Sequence, residues 1–224
     1  MDFGRSSNWT NREALAADDL PFRHYRLQHR AIAWISRHLF DRFSYTVRHG
    51  LIRGMKRKGG LGWLPAWLAG GTQTKEEMFW RALRLEGLVV YDVGAFHGIL
   101  TLFFASHCAQ VIAWEPNDGN HARLMENVRL NNLTNVSVRK LAVGSQVRTG
   151  TLTYNPSMAG GGSVHGSAEG TISQQVEITT LDCDIAAAPL PAPDVIKIDI
   201  EGWELEALKG ARATLAAHHP ALFS

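Results

Sequence analysis

Three ionisable residues alternate with isoleucines near the end of the chain, in the segment Ile196-Lys197-Ile198-Asp199-Ile200-Glu201-Gly202. Successive side chains of a strand point to opposite faces, so Lys197, Asp199 and Glu201 share one face. A central parallel strand is normally apolar on both faces, and buried charges cost stability unless they are paired or used. Such a cluster at the carboxyl end of a strand is typical of acid–base chemistry. We predict Asp199 as the first candidate for a general base and Glu201 as the second.

Other interpretations of this strand stay open. Lys197 and Asp199 could form a structural ion pair, with Glu201 capping the helix that follows. The two carboxylates could also hold a hard cation together with substrate oxygens. The sequence offers no clear third ligand, and we therefore predict no metal site. His97 and His165 are the remaining candidates for a base.

A second group of candidate residues follows an apolar run, in the segment Val90-Tyr91-Asp92-Val93-Gly94-Ala95-Phe96-His97-Gly98. Glycine at positions 94 and 98 lets the backbone approach a ligand closely and take conformations that other residues avoid. The helix predicted to begin after Gly98 presents free N–H groups and the positive end of its dipole. The segment predicts a loop that holds a polar ligand group against the backbone.

Glu115 ends the next predicted strand, 21 positions after Gly94. In nucleotide-binding α/β folds an acid at about that offset (~20 residues) binds ribose hydroxyls at the carboxyl ends of adjacent strands. A dinucleotide would favour G-x-G-x-x-G, but Phe96 occupies the place of the second glycine. We therefore favour a ligand without phosphates, such as S-adenosylmethionine. The alternative is a plain strand–helix turn at the glycines, with Glu115 as a surface acid.

The elements that must position these residues alternate between strands and helices from Gly87 onward, which predicts an α/β fold with a parallel sheet covered on both faces. The predicted strands are residues 88–93, 110–114, 136–141, 194–200 and from 220 onward. The predicted helices are residues 74–85, 99–107, 117–132 and 203–217. A further pair of strands, 151–154 and 175–180, flanks the glycine-rich stretch 159–170. That stretch is either a lid over the substrate or a surface insertion.

The first part of the chain is basic. Residues 1–60 carry 12 Lys and Arg against 5 Asp and Glu, whereas the remainder carries 11 against 16. Apolar residues at spacings of three and four predict a helix over residues 21–53, followed by a loop at 56–60. The charge indicates either contact with an anionic membrane through Trp34, Phe40 and Phe43, or a basic helix docked on an acidic domain. We divide the chain into a helical basic extension, residues 1–72, and an α/β domain, residues 73–224.

Composition excludes several classes of protein. Apolar residues make up 45% and charged residues 20% of the chain, as in globular proteins. Cys108 and Cys183 are too few for a disulfide framework and lack metal-ligand spacing, which indicates a reducing compartment. No secretory signal and no run of about 18 apolar residues is visible, so we expect a cytoplasmic protein with at most peripheral membrane contact. The acidic second part has no basic stripe, which argues against a nucleic-acid partner.

Several segments together resemble the FkbM family of S-adenosylmethionine-dependent methyltransferases, over residues 76–224. They are Asp92-Val93-Gly94-Ala95, Glu115-Pro116, Leu141-Ala142-Val143-Gly144, Thr179-Thr180-Leu181-Asp182, and the isoleucine-alternating strand that ends at Gly202, followed by Glu204 and Leu208-Lys209-Gly210-Ala211. The strand that carries lysine, aspartate and glutamate is the most specific of these, whereas the glycine loop alone would be a weak signal.

The resemblance implies a Rossmann-like, doubly wound sheet of the class I methyltransferase type, and methyl transfer to a hydroxyl of a sugar, glycan or natural product. The residues it assigns to the cofactor are Asp92, Gly94, Ala95, Gly98, Glu115, Ala142 and Val143. Asp92 and the two glycines would line the methionine part, Glu115 would take the ribose, and the residues at 142 and 143 would lie near the adenine. Asp199 and Glu201 would face the reacting centre.

The sequence departs from the family's pattern at two positions and at its end. Phe96 stands where many members have asparagine, and Trp203 replaces a commonly small residue and would narrow the entrance. The family's sheet continues past the strand that starts at Ala221, so we expect a truncated sheet with an unpaired edge. The alternative to an active enzyme is an inactive or truncated methyltransferase-like protein that binds or scaffolds.

Overall fold

The computed structural model describes residues 43–59, 74–154, 162–163 and 172–224. In chain order the strands are β1 (Ser44–Thr46), β2 (Lys56–Lys58), β3 (Val89–Val93), β4 (Gln110–Trp114), β5 (Val136–Arg139), β6 (Ala142–Val143), β7 (Arg148–Tyr154), β8 (Gly162–Ser163), β9 (Ile172–Thr179), β10 (Val195–Ile198) and β11 (Ala221–Phe223). The helices are α1 (Lys75–Ala82), α2 (Ile99–Ala105), α3 (Asp118–Leu130), α4 (Leu181–Ala187), α5 (Glu204–Lys209) and α6 (Arg212–His218).

The central sheet has five parallel strands in the order β11-β10-β3-β4-β5. In its register, Val93 of β3 lies opposite Trp114 of β4 on one side and Ile198 of β10 on the other. The three strands therefore end at the same edge of the sheet. This register brings the residues that follow each strand, including Gly94, Glu115 and Asp199, to one place.

Apolar side chains cover both faces of the sheet, as the predicted α/β fold requires. Val90 of β3 packs in a cluster with Leu102 and Phe104 of α2. Its neighbour Tyr91 points to the other face, where it packs in a cluster with Ile196 of β10 and Ala207 of α5. The alternation follows from the two-residue period of a strand. The prediction of a doubly wound α/β sheet is confirmed.

A second sheet has the strand order β6-β9-β7-β8, and its strands fall between β5 and β10 in the sequence. Its long antiparallel pair, β7 and β9, runs from Arg148 opposite Ile178 to Tyr154 opposite Ile172. The predicted pair of strands is thus present, with each strand longer than expected.

The helix predicted over residues 203–217 is two helices, α5 and α6. The break lies at Gly210, where a Cβ atom would stand 2.0 Å from the backbone oxygen of Gly144. Asp182 then caps the start of α6, because its carboxylate accepts hydrogen bonds from the backbone N–H groups of Ala213 and Thr214 at 2.9 and 2.8 Å. Helix α4, which carries Asp182, was not predicted.

The helix expected over residues 21–53 does not extend through residues 43–53. β1 and β2 instead form an antiparallel hairpin in which Ser44 lies opposite Lys58, so the loop expected at 56–60 contains a strand. Gly50 and Gly54 have φ values of 81° and 91°, which are incompatible with a right-handed helix. Val47 and Ile52 are buried in the same apolar cluster as the residues of α2.

Other predictions fall on residues 1–42, 60–73 and the glycine-rich stretch, which lie outside the described side chains. These include the membrane contact through Trp34 and Phe40, and His165. Phe43 is described, and its side chain is exposed. The division of the chain at residue 72 stays a prediction. None of the helices in the described part of the chain has the length and apolar composition that a membrane crossing requires.

Candidate functional site

The loop after β3 and the acid after β4 are in direct contact. The backbone N–H groups of Gly94 and Ala95 both donate to the carbonyl of Trp114 at 3.0 Å. The N–H of Phe96 donates to Oε2 of Glu115 at 2.8 Å. Phe96 has a φ of 52°, in the left-handed region that non-glycine residues rarely adopt. The loop and Glu115, which sequence spacing alone had paired, therefore lie together at the edge of the sheet.

Glu115 is almost fully buried, with 6% of its surface exposed. Besides Phe96, its carboxylate accepts hydrogen bonds at Oε1 from the N–H of Asn117 at 3.0 Å and from Nδ2 of Asn120 at 3.3 Å. A carboxylate has about four lone-pair positions, and these hydrogen bonds occupy two on Oε1 and one on Oε2. Burial raises the pKa of Glu115, and the N–H donors of Asn117 and Phe96 offset only part of that rise.

Gly94 lies against the chain that follows β10. Its φ is 81°, and a Cβ atom at this position would stand 2.0 Å from the backbone oxygen of Asp199 and 2.8 Å from Cγ2 of Ile200. Both the conformation and the close approach require glycine. The tips of β3 and β10 can touch here only because position 94 has no side chain.

A buried ion pair of Asp92 and Lys197 supports the loop after β3. Lys197 Nζ lies 3.0 Å from Oδ1 of Asp92 and donates to the carbonyl of Gly94 at 3.0 Å. Thr101 on α2 donates to Oδ2 of Asp92 at 2.6 Å. Asp92 is 0% exposed and Lys197 5%. Protein groups contact both carboxylate oxygens of Asp92, so it supports the loop that was expected to line the methionine part of a cofactor.

Asp199 and Glu201 follow β10, and the backbone oxygen of Asp199 faces Gly94 of the loop. The Asp199 side chain is 70% exposed, and its Oδ2 is 3.9 Å from Nζ of Lys197, so the closer partner of that lysine is Asp92. Glu201 is exposed and has a φ of 48°. Partial burial raises the pKa of Glu201, and the neighbouring charges of Asp199 and Glu204 raise it further.

The capping role considered for Glu201 is absent, because no side chain caps the start of α5; Glu204 instead binds the turn before the helix. Its carboxylate accepts hydrogen bonds from the N–H of Ile200 at 3.3 Å and from the N–H of Gly202 at 2.9 Å. These bonds hold the turn between β10 and α5, and the side chain of Glu201 takes no part in them.

The two residues expected near an adenine ring, Ala142 and Val143, form β6, which pairs with β9 of the second sheet. They point in opposite directions. Val143 packs in the central cluster with Trp114, whereas Ala142 packs with Ile178 in the cluster of the second sheet. Both residues are buried. The side chains of both residues are therefore used in packing within the fold.

The remaining expected residues form packing contacts around the loop. Ala95 is buried with Leu124 of α3. Gly98 precedes α2 with a φ of 84°, and a Cβ atom there would stand 2.3 Å from Cδ1 of Leu124. Trp203 lies beside Gly144, where a Cβ atom would be 3.1 Å from its Nε1. The indole thus packs at the junction of β6 and α5.

Two amide side chains at the site were not predicted. Gln174 on β9 accepts a hydrogen bond from the N–H of Asp118 at 3.2 Å and donates to the carbonyl of Pro116 at 3.3 Å, which ties the second sheet to the segment after Glu115. Asn127, on α3, donates to the carbonyl of His97 at 2.9 Å. Asparagine is disfavoured inside helices, so its place in α3 was an available signal. Among the described residues, no group of three His, Cys, Asp or Glu residues could hold a metal ion.

Comparison with known proteins assigns residues 92–223 to the methyltransferase FkbM domain. Hexuronic acid methyltransferase AglP of Haloferax volcanii is 34% identical over 125 residues, which are 54% of this chain and 49% of that protein. Methyltransferase 1 of Beauveria bassiana is 22% identical over 142 residues and is covered to 57%. The chain thus spans about half the length of these two relatives. The crystal structure of methyltransferase FkbM from Methylobacillus flagellatus is 24% identical, with a TM-score of 0.47 over 63% of this chain and 34% of that one.

Proposed function

The chain belongs to the FkbM methyltransferase family, and we propose that it is an S-adenosylmethionine-dependent O-methyltransferase whose acceptor is a hydroxyl of a sugar, glycan or natural product. The observation that carries this proposal is the contact between the glycine loop and the buried acid, in which Phe96 donates to Glu115 at 2.8 Å. The name of the Haloferax relative, a hexuronic acid methyltransferase, supports a sugar acceptor. We take an acidic sugar as the first acceptor to test.

The residues at the strand tips fit such a cofactor. The available lone pair of Glu115 suits a ribose hydroxyl, because a buried carboxylate forms stronger hydrogen bonds than a neutral acceptor. The backbone at Gly94 and Gly98 would lie against the methionine part, with Ala95 beside it. Ala142 and Val143 would lie near the adenine, as the family resemblance implies, although their side chains pack in two different clusters.

When bound, S-adenosylmethionine would supply a methyl group on a sulfonium sulfur, and the acceptor oxygen would take that methyl group with S-adenosylhomocysteine as the leaving group. The protein contributes mainly orientation, because a sulfonium is already reactive. Asp199 is the proposed base that takes the proton of the acceptor hydroxyl. Its side chain is exposed, so an acceptor can reach it, and its backbone oxygen faces Gly94 of the loop.

Replacing Glu115 by glutamine should weaken cofactor binding by about 10- to 100-fold, because a hydrogen bond to a charged group contributes ~1.5–3 kcal/mol. Titration calorimetry with S-adenosylhomocysteine measures the dissociation constant. Asp118→Asn is the matched control, since Asp118 lies three positions away with an exposed carboxylate. Absence of binding to the folded wild-type protein would contradict the proposed function. Equal binding by Glu115→Gln and the wild type would contradict only the role of Glu115.

Replacing Asp199 by asparagine should lower kcat by about 100- to 10,000-fold and leave cofactor affinity unchanged, because a general base acts only on the transferred proton. The assay follows methyl transfer to a hexuronic acid glycoside.

If Glu201 is the base instead, activity must fall as the pH drops through a pKa above the usual glutamate range, because the base works only when deprotonated. Glu201→Gln would then remove that inflection. Cofactor binding without transfer to any acceptor would favour the binding or scaffold alternative.

A further inference from the structure

The hairpin of residues 44–58 precedes the family-matched residues 92–223 and is docked on α3 by two side-chain amides. The N–H of Lys56 donates to Oδ1 of Asn131 at 2.8 Å, and Nδ2 of Asn131 donates back to the carbonyl of Lys56 at 2.7 Å. The N–H of Lys58 donates to Oδ1 of Asn127 at 2.8 Å. The two amides therefore bond to backbone groups of β2, as the backbone of a neighbouring strand would.

Of these two side chains, only that of Asn127 also bonds to the glycine loop. Its side chain is fully buried, and its Nδ2 donates to the carbonyl of His97 at 2.9 Å. One amide thus joins the hairpin, through Oδ1, to the loop, through Nδ2. A buried amide with both ends bonded has no freedom to turn, since rotation would leave a buried polar group without a partner.

The His97 carbonyl is part of the turn that closes the loop. It belongs to the same planar peptide unit as the N–H of Gly98, so holding one orients the other. That N–H donates to the carbonyl of Ala95 at 2.8 Å and closes the turn. Phe96 lies inside this turn, and its N–H is the donor to Glu115. The orientation of the His97–Gly98 peptide therefore affects the contact between loop and acid.

We propose that Asn127 is a positioning residue through which the hairpin of residues 44–58 holds the glycine loop in its cofactor-binding conformation. The identity of the ligand rests on the proposed function, whereas the effect on the loop does not. Other contacts dock the hairpin without Asn127, namely the ion pair of Lys58 with Glu126 at 3.1 Å and the buried side chains of Val47 and Ile52. Removing the Asn127 side chain should therefore release the loop while the hairpin stays docked.

The test compares Asn127→Ala with Asn131→Ala in the full chain. Both variants remove hydrogen bonds to the hairpin, but only Asn127→Ala removes the bond to His97. Hydrogen–deuterium exchange of a peptide covering residues 94–98, measured without ligand, should rise about tenfold in Asn127→Ala and stay at the wild-type rate in Asn131→Ala. The dissociation constant of S-adenosylhomocysteine should rise about tenfold in Asn127→Ala alone, with the KM for the acceptor unchanged.

Equal exchange of the loop in the two variants would overturn the proposal, as would wild-type exchange in Asn127→Ala. If Asn127→Ala does not fold, Asn127→Ser takes its place, because the shorter polar side chain cannot span from β2 to His97 and admits water to the buried groups. If the wild-type protein does not bind S-adenosylhomocysteine, the proposed function fails while the exchange experiment on the free protein still decides the role of Asn127.

Discussion

Replacing Lys197 by methionine is expected to lower the free energy of unfolding by about 3–5 kcal/mol, because it leaves a buried carboxylate without its counter-charge. Asp92 is 0% exposed, and its Oδ1 lies 3.0 Å from Nζ of Lys197. The hydrogen bond from Thr101 to the other oxygen cannot neutralise the charge. Urea denaturation of the variant and the wild type measures the loss.

The double variant Lys197→Met/Asp92→Asn separates the charge from the geometry. It removes both charges, so it should recover a large part of the lost stability, while Thr101 can still donate to the new amide. Both variants should bind the cofactor more weakly than the wild type, because the bond from Lys197 to the Gly94 carbonyl is gone in both. Lys209→Met is the surface control, since Lys209 is exposed and pairs with Glu206 of the same helix, and it should change stability by less than about 1 kcal/mol. A loss below about 1 kcal/mol in Lys197→Met would contradict the buried ion pair.

Replacing Gly94 by alanine is expected to abolish measurable cofactor binding and to destabilise the fold. The new Cβ atom would stand 2.0 Å from the backbone oxygen of Asp199, so the tips of β3 and β10 must separate. The alanine would also occupy a left-handed conformation, which costs roughly 1–2 kcal/mol for a residue other than glycine. Separation of the tips moves the loop that carries Phe96 and the chain that carries Asp199. We expect the dissociation constant to rise by more than about 100-fold, which corresponds to ~2.7 kcal/mol or more.

Gly87 offers a matched control for this substitution. Its φ is 77°, close to the 81° of Gly94, but no atom lies within 4 Å of a Cβ built on it. Gly87→Ala therefore carries the same conformational cost without the clash, and it should lower stability by about 1–2 kcal/mol and leave binding intact. Denaturation and calorimetry on both variants give the comparison. Equal losses in the two variants would show that backbone conformation, and not the approach of Asp199, explains the need for glycine at position 94.

Local sequence was sufficient to predict where the central strands lie along the chain and which loop after β3 belongs to the site. Residues 110–114 were predicted as a strand and form β4 with those bounds, because a buried parallel strand needs a continuous apolar run. The spacing of Gly94 and Glu115 also predicted their meeting, since adjacent parallel strands end at the same edge of a sheet. These predictions depend on periodicity and on a fixed offset, both of which lie within a short stretch of chain.

The hairpin at residues 44–58 shows where local patterns are insufficient. Its apolar residues recur at helical spacing, and a helix was predicted there. Two turns with glycine at left-handed φ values, at Gly50 and Gly54, instead let Val47 and Ile52 reach the apolar cluster beside α2. Burial against a distant helix outweighs a local preference, because intrinsic helix propensities amount to less than about 1 kcal/mol for each ordinary residue.

The sequence by itself determined the α/β alternation, the family and the set of ionisable residues at the strand tips. Only the tertiary structure decided what each of those residues does. It places Lys197 closer to Asp92 than to Asp199, uses Glu204 rather than Glu201 to hold the turn after β10, and places Asn127 between the hairpin and the loop. Lys197 and Asn127 act through contacts with residues far away in the chain, while the bonds of Glu204 depend on the left-handed turn at Glu201 and Gly202. The physical reason is that a buried polar group bonds to whichever partner the packed fold brings within about 3 Å, and the local pattern around it does not specify that partner.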